Sequence, residues 1–463
     1  MRFEIKSFKG GKSDYVDRGI FGSFQKSKNL NIRGDEDALM CNQALITDGS
    51  GGSSADTIVT SLINFPINAS DGNWYGFSDN GKIYKRTSAG VYSLVYTDSD
   101  GEITGAYEWY IDNNKKYLVW TTSTKLHVKE IPGVSNWSDV DATITPSSGT
   151  PQTFPKTNLT AATWHTMAQA NGSLIICNPV HMALFGYDGS YTNDALLLRP
   201  GIIPQAIVEY GSQALIGGGD GVRESWLLTW EQTALSWLNK NRIPSKTINA
   251  IVQAEIMLMS CGDNELYYTD MTNNMPICTL DGKCNPAGVV EKGGLALFGL
   301  FGGSFSGIWS YGRTKKNESH TLNLEQYIDC DEIGSIWKIA EQVFVSYKKS
   351  SSYYVRKVDP STKAQAEYYS LDLTFPKESN VTSIDLVTDT IPTGCAIEVW
   401  YDVLGDGVWL QAKMAGDVAQ ATAGQRDPIF LVGGNGRAAN VKVILIPSAN
   451  LTPEVSTIFV NFQ

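Results

Sequence analysis

Charge is scarce in this chain: Asp, Glu, Lys and Arg make up 18% of its 463 residues, below the roughly one quarter usual for globular proteins. The formal net charge is −11, and the basic residues include isolated pairs beside turn-like segments, Lys115-Lys116, Lys315-Lys316 and Lys348-Lys349. General nucleic-acid binding needs clustered Lys and Arg that displace phosphate counterions, so it is not expected here. Histidine is scarcer still. His127, His165, His181 and His320 are the four present, and no HxH, HExxH or Cys/His pairing joins any of them into a metal motif. Cysteine is odd in number at seven, with only Cys278 and Cys284 close together. A disulfide framework needs more regular spacing, and free thiols of a reducing compartment are expected instead. No apolar run of about 18 residues occurs. The opening Met1-Arg2-Phe3-Glu4-Ile5-Lys6 lacks the apolar stretch of a secretory signal. Together these predict a soluble protein that uses no classical signal peptide.

The usual catalytic signatures are missing as well. There is no GxSxG nucleophile elbow. Gly217-Gly218-Gly219-Asp220-Gly221 lacks the Lys-Ser/Thr of a phosphate loop and reads as a turn. Asp98-Ser99-Asp100-Gly101-Glu102 places oxygen ligands at alternate positions, loosely as a calcium loop does, but without its full spacing; it reads as a solvated acidic turn. Ser78-Asp79-Asn80-Gly81-Lys82-Ile83-Tyr84 resembles the Asp-box turn of sialidases, where that motif closes a hairpin. The arginine cluster that grips a sialic acid carboxylate is not evident, since no Arg occurs between Arg86 and Arg199. The expectation is therefore a protein that is not an enzyme, with no catalytic residues, no cofactor and no metal. Twelve Trp and 21 Tyr leave stacking platforms for glycans as an alternative binding role.

What the chain has in quantity is glycine, aromatics and short β-rich runs. A pattern recurs about every 46 residues from Ile58 to Asp372: an apolar run, a Gly/Asn/Asp turn, a second run with aromatics, a turn and a short third run. Asn80-Gly81 and Asn171-Gly172 between such runs are hairpin signals. Leu174-Ile175-Ile176, Leu215-Ile216 and Leu295–Phe298 are continuously apolar, as strands buried on both faces are. About seven units fit, each too small to bury its own apolar face, and radial closure would remove exposed sheet edges. After Asp372 the period ends. Five β runs follow, among them Ala396–Tyr401 and Ile458–Phe462, over about 90 residues, the size of a small β-sandwich. Before Ile58 the chain is broken by Gly10-Gly11 and by the Gly/Ser stretch 49–54, while Leu30 and Ile32 alternate with polar residues. The predicted organisation is all-β: an extended arm over 1–56, a β-propeller of about seven blades over 57–372 and a C-terminal β-sandwich over 373–463. The arm is expected to lie against the propeller or a neighbouring subunit, so that deleting it blocks assembly without unfolding the chain.

Three stretches resemble virion proteins of tailed bacteriophages: Asp17-Arg18-Gly19-Ile20-Phe21-Gly22-Ser23-Phe24, Lys28-Asn29-Leu30-Asn31-Ile32-Arg33 and Leu39-Met40-Cys41-Asn42-Gln43-Ala44-Leu45. Gly81-Lys82-Ile83-Tyr84-Lys85-Arg86 is similar to their first-blade hairpin. Ile397-Glu398-Val399-Trp400-Tyr401, Trp409 and Thr452-Pro453-Glu454 are similar to accessory β domains of tail proteins. The chain departs from the pattern at Asn31, where Asp is expected. The resemblance implies a hub- or nozzle-type tail component, made in the host cytoplasm and located in the virion tail. It implies a ring of copies of this chain that meets other tail proteins, such as an adaptor or portal-proximal component. Phage DNA would pass through without specific binding and the protein would not insert into a membrane. Arg18, Phe21, Phe24, Leu30, Ile32 and Arg33 are the expected assembly-arm residues. A receptor- or glycan-binding tail-tip propeller is the alternative.

Overall fold

The computed structural model describes residues 1–15, 21–34, 37–111, 115–146, 150–234 and 236–463. Among them the only helices are single turns at Gly51–Ser53 and Ala55–Ile58. Seven antiparallel sheets succeed one another as the blades of a propeller. Their first strands are Ile63–Asn68, Gly105–Ile111, Met167–Ala170, Ile203–Tyr210, Ile248–Gln253, Gly282–Lys292 and Glu332–Ile339. Blade 2 has three strands and the other six have four. The fourth strands of blades 3 and 5, Tyr191–Leu197 and Asn274–Thr279, escape the three-run reading of the repeat because they are half exposed, whereas Thr321–Tyr327 of blade 6 is buried.

The continuously apolar second strands have a direct explanation. Successive side chains on a strand point to opposite faces, and here both faces meet another blade. Leu118 and Trp120 pack with Phe65 and Phe77 of blade 1, whereas Tyr117 and Val119 pack with Leu174 and Phe185 of blade 3. Equivalent apolar clusters fill every seam, including the closing one, where Trp74 of blade 1 stacks on Trp337 of blade 7 at 4.9 Å. The two Asn-Gly turns differ. Asn171 and Gly172 both have positive φ and form a two-residue loop, the primed hairpin turn. At Asn80-Gly81 only Gly81 is left-handed and the loop has three residues. There the Ser78 hydroxyl accepts from the Lys82 N–H at 3.0 Å.

Residues 1–56 are woven into both parts of the molecule. Gln43–Thr47 is the outer strand of blade 7, antiparallel to Ser352–Lys363, so the propeller ring is closed by a strand from ahead of blade 1. Arg2–Ile5 pairs with Val455–Phe462, and Lys26–Lys28 pairs with Ala366–Tyr369. The segment thus contributes three strands to sheets of its own chain, which differs from an arm laid over a surface. These three strands are three to five residues long with partners about 300 or more positions away. No local periodicity reveals such pairings.

The remainder forms one nine-stranded sheet curled into a partial half-barrel. Its spine is the 18-residue strand Ile429–Ile446. The first part of that strand pairs with Leu373–Thr388 and the second with Ala396–Asp402, so the sheet turns over on itself midway. Side chains from both halves meet in one core, Ile384, Leu386 and Val460 from one and Ile397, Val399 and Val443 from the other. Sandwich-like alternation is therefore produced by a single bent sheet. The half-barrel begins at Ala366–Tyr369, ahead of residue 372, and includes the strands of residues 2–5 and 26–28.

Candidate functional site

The cavity on the propeller axis, about 430 Å³, is lined by residues of all seven first strands or their flanks. They include Phe65, Ala106, Met167, Ile207, Ile251, Val290 and Trp337. Lys338 is the only titratable side chain in this lining, and it pairs with Glu291 at 3.5 Å. General acid–base chemistry needs positioned titratable groups facing a reacting atom, and this lining supplies no such pair.

The resemblance residues concentrate instead at the joint between propeller and half-barrel. Arg33 reaches into the outer part of blade 6. Its Nη1 donates to the Gly312 carbonyl at 2.9 Å and to Thr321 Oγ1 at 2.8 Å. Its Nη2 donates to Ser310 Oγ at 3.0 Å and to the Thr321 carbonyl at 2.8 Å. Glu325 lies 3.5 Å from Nε and also accepts from Asn42 Nδ2 at 2.6 Å. Asn323 Nδ2 donates to the Leu30 carbonyl at 2.9 Å. The planar guanidinium is suited to such a cluster of acceptors. Asn31 Oδ1 accepts from the Arg33 N–H at 3.0 Å, a local turn that Asp makes equally well, so the Asn31 departure leaves this geometry intact.

Phe24 and Leu30 are fully buried and Ile32 nearly so, all in the half-barrel core; Phe24 meets the Tyr368 ring edge-on at 5.9 Å. Phe21 is 77% exposed. Arg18 lies outside the described residues. Of the expected assembly-arm residues, four are thus engaged within the chain and Phe21 alone is seen to project. The alternation of Leu30 and Ile32 identified a buried face; its partner being this same chain had no local signal.

A second polar cluster locks the closing strand. Asp48, just after Gln43–Thr47, is fully buried and accepts from Tyr92 Oη at 2.8 Å and Arg86 Nη2 at 3.2 Å, with Lys357 Nζ 3.2 Å away. Burial works to raise the Asp48 carboxyl, but the hydrogen bonds from Arg86 and Tyr92 and the nearby positive charges outweigh it. The group is held below the ordinary carboxylate value. Elsewhere, Asp98 and Asp100 of the acidic turn lie against His127, a residue 27 or more positions along the chain.

All seven cysteines are free, and Cys177 and Cys284 are fully enclosed, with their thiols pushed up to about 12. No Trp side chain is exposed. Among the described aromatics only Tyr15, Phe21, Tyr187 and Tyr210 are, while Trp164, Trp226, Trp237, Trp400 and Trp409 are half-buried. Exposed apolar side chains on the half-barrel include Leu404 at 76% exposure, with Val408, Leu410, Val418, Ile429 and Leu431; others, such as Leu94, Leu197, Ile203 and Val222, lie on the propeller. The loop carrying Leu404, Val408 and Leu410 lies along the strand carrying Ile429 and Leu431, since Gly436 abuts Val403 and the Leu431 N–H donates to the Lys413 carbonyl at 2.8 Å.

No protein-family model matches the chain, and no curated protein matches it. Similar solved structures include the extracellular domain of the putative hybrid two component system BT3049 from B. thetaiotaomicron, with TM-score 0.51 and 10% identity over 92% of this chain. This chain covers 62% of that one. The WD40 β-propeller domain of Doa1 aligns with TM-score 0.47 and 11% identity, over 68% of this chain and 96% of that domain. At such identities the likeness is one of fold alone; the β-propeller itself is read from the seven sheets of this chain.

Proposed function

We propose that this chain is a non-catalytic structural protein of a bacteriophage tail, a hub- or nozzle-type subunit that self-associates into a ring around or across the DNA path. Support for virion origin is the resemblance carried by residues 17–24, 28–33 and 39–45. Support for self-association is the uncovered apolar end of the half-barrel, and this observation carries the reading. Large exposed apolar side chains carried by a loop and the strand beside it suit a surface used for association. Packing the same chain head to tail covers such a surface and closes a ring when the rotation closes.

In this reading the duplex passes between subunits. The axial cavity of one propeller is of the size that holds a small molecule, so the passage belongs to the assembly. A net charge of −11 suits a passage that does not retain phosphates. The partners are further copies of this chain and an adaptor or portal-proximal tail protein, and the place of action is the virion tail. Mass photometry of the purified chain is expected to give closed oligomers, and Leu404→Asp with Leu431→Asp is expected to give folded monomers. A wild-type chain that stays monomeric and binds on a glycan array would favour a receptor-binding tail-tip propeller instead.

A further inference from the structure

We propose that Asp98, Asp100 and His127 form a binding site for one divalent transition cation of the zinc type, at the seam between blades 1 and 2. Asp98 and Asp100 stand in the turn that leaves the outer strand of blade 1, Tyr92–Thr97. His127 stands on the third strand of blade 2, Leu126–Ile131. The three ligand atoms lie within 4.8 Å of one another.

The histidine carries the argument. It is 3% exposed. Its Nδ1 lies 2.9 Å from Asp141 Oδ2, and the neutral tautomer that donates there carries its lone pair on Nε2. Nε2 is buried and makes no hydrogen bond, a costly state for a polar atom. It points at Asp100 Oδ2, 3.4 Å away, and Asp98 Oδ2, 3.7 Å away. Two donors each about 2.1 Å from a tetrahedral ion sit about 3.4 Å apart, so the gap matches shared coordination. A carboxylate behind the far ring nitrogen is the arrangement that orients metal-bound imidazoles and raises their basicity.

Neighbouring groups are consistent with a bound dication. Trp120 Nε1 donates to Asp98 Oδ2 at 2.7 Å, and the Asp100 N–H donates to Asp98 Oδ1 at 2.9 Å. Each orients the carboxylate and leaves lone pairs for a metal. Trp120 also stacks on the imidazole at 5.5 Å. Lys125 Nζ holds the other oxygen of Asp100, Oδ1, at 2.6 Å. Lys125 thus offsets the charge of Asp100, and a dication would balance the carboxylates of Asp98 and Asp141. A nitrogen donor with two carboxylates suits zinc better than calcium, which takes six to eight oxygens. Asp100 is the most exposed ligand, so a water completes the coordination on the open side. The ion would tie the turn after blade 1 to blade 2.

The test uses the full chain dialysed against micromolar zinc or cobalt ions alone. Elemental analysis is expected to give about one zinc per chain. The cobalt form is expected to show the visible bands of a tetrahedral nitrogen/oxygen site without thiolate charge transfer. Asp141→Asn is expected to weaken zinc binding about 10- to 100-fold, and His127→Gln to abolish it. No stoichiometric zinc on the wild-type chain overturns the proposal. A cobalt spectrum dominated by thiolate bands overturns it as well. Both wild-type readouts stand even where His127→Gln fails to fold.

Discussion

Arg33 joins the N-terminal segment to blade 6 through four hydrogen bonds and the ion pair with Glu325. Both side chains are almost out of solvent, so truncating one leaves the other as an uncompensated buried charge. Arg33→Ala is expected to lower stability by about 3–5 kcal/mol, read from the urea midpoint. Arg33→Lys is expected to recover little, because a single ammonium cannot reach the acceptors on Ser310, Gly312 and Thr321 together. Asp48 supplies the pH dependence. Its folded carboxyl lies below the unfolded value of 3.8, so its contribution is complete above that value and is lost as pH falls through the lower folded one. Asp48→Asn is expected to flatten the stability–pH curve below about pH 4, measured by thermal melts. The thiols allow a simpler check. Burial raises Cys177 and Cys284 to about 12 and encloses both side chains, so a disulfide reagent at neutral pH is expected to label these two only on unfolding.

At the scale of elements, the strand Gln43–Thr47 changes what an N-terminal truncation does. Removing residues 1–56 takes the outer strand from blade 7 and two strands from the half-barrel. It also removes Arg33 from Glu325 and Asp48 from Arg86. Unfolding is therefore expected in place of the loss of assembly alone, seen as the disappearance of a cooperative melt. A soluble truncated chain with an unchanged melt would contradict this. The same element marks where reading the sequence stops. Blades were legible because Leu174–Ile176 and Leu295–Phe298 are apolar on both faces and because glycine-bearing turns such as Asn171-Gly172 punctuate them. The closing strand was not, since Leu45 and Ile46 meet Val358 and Lys357 across some 300 residues. The Asp98, Asp100 and His127 cluster escaped for the same reason. The turn read as acidic and the histidine as solitary, and only blade packing brings them together.

For the whole molecule, the chain leaves the half-barrel at residue 42 to close blade 7, runs once around the ring, and returns at residue 366. The two crossings lie side by side, with the Ala364 N–H donating to the Asn42 carbonyl at 2.9 Å. This tethering, with the Arg33 cluster between the parts, makes propeller and half-barrel a single building block. Its half-barrel carries exposed apolar side chains on the loop of Leu404 and Val408 and on the strand of Ile429 and Leu431. The proposed role in assembly rests on those exposed apolar residues. Mass photometry of the purified chain, with electron microscopy of any oligomer, tests this most directly. The account predicts closed rings that Leu404→Asp with Leu431→Asp reduces to folded monomers. A wild-type chain that remains monomeric across the micromolar range would contradict it.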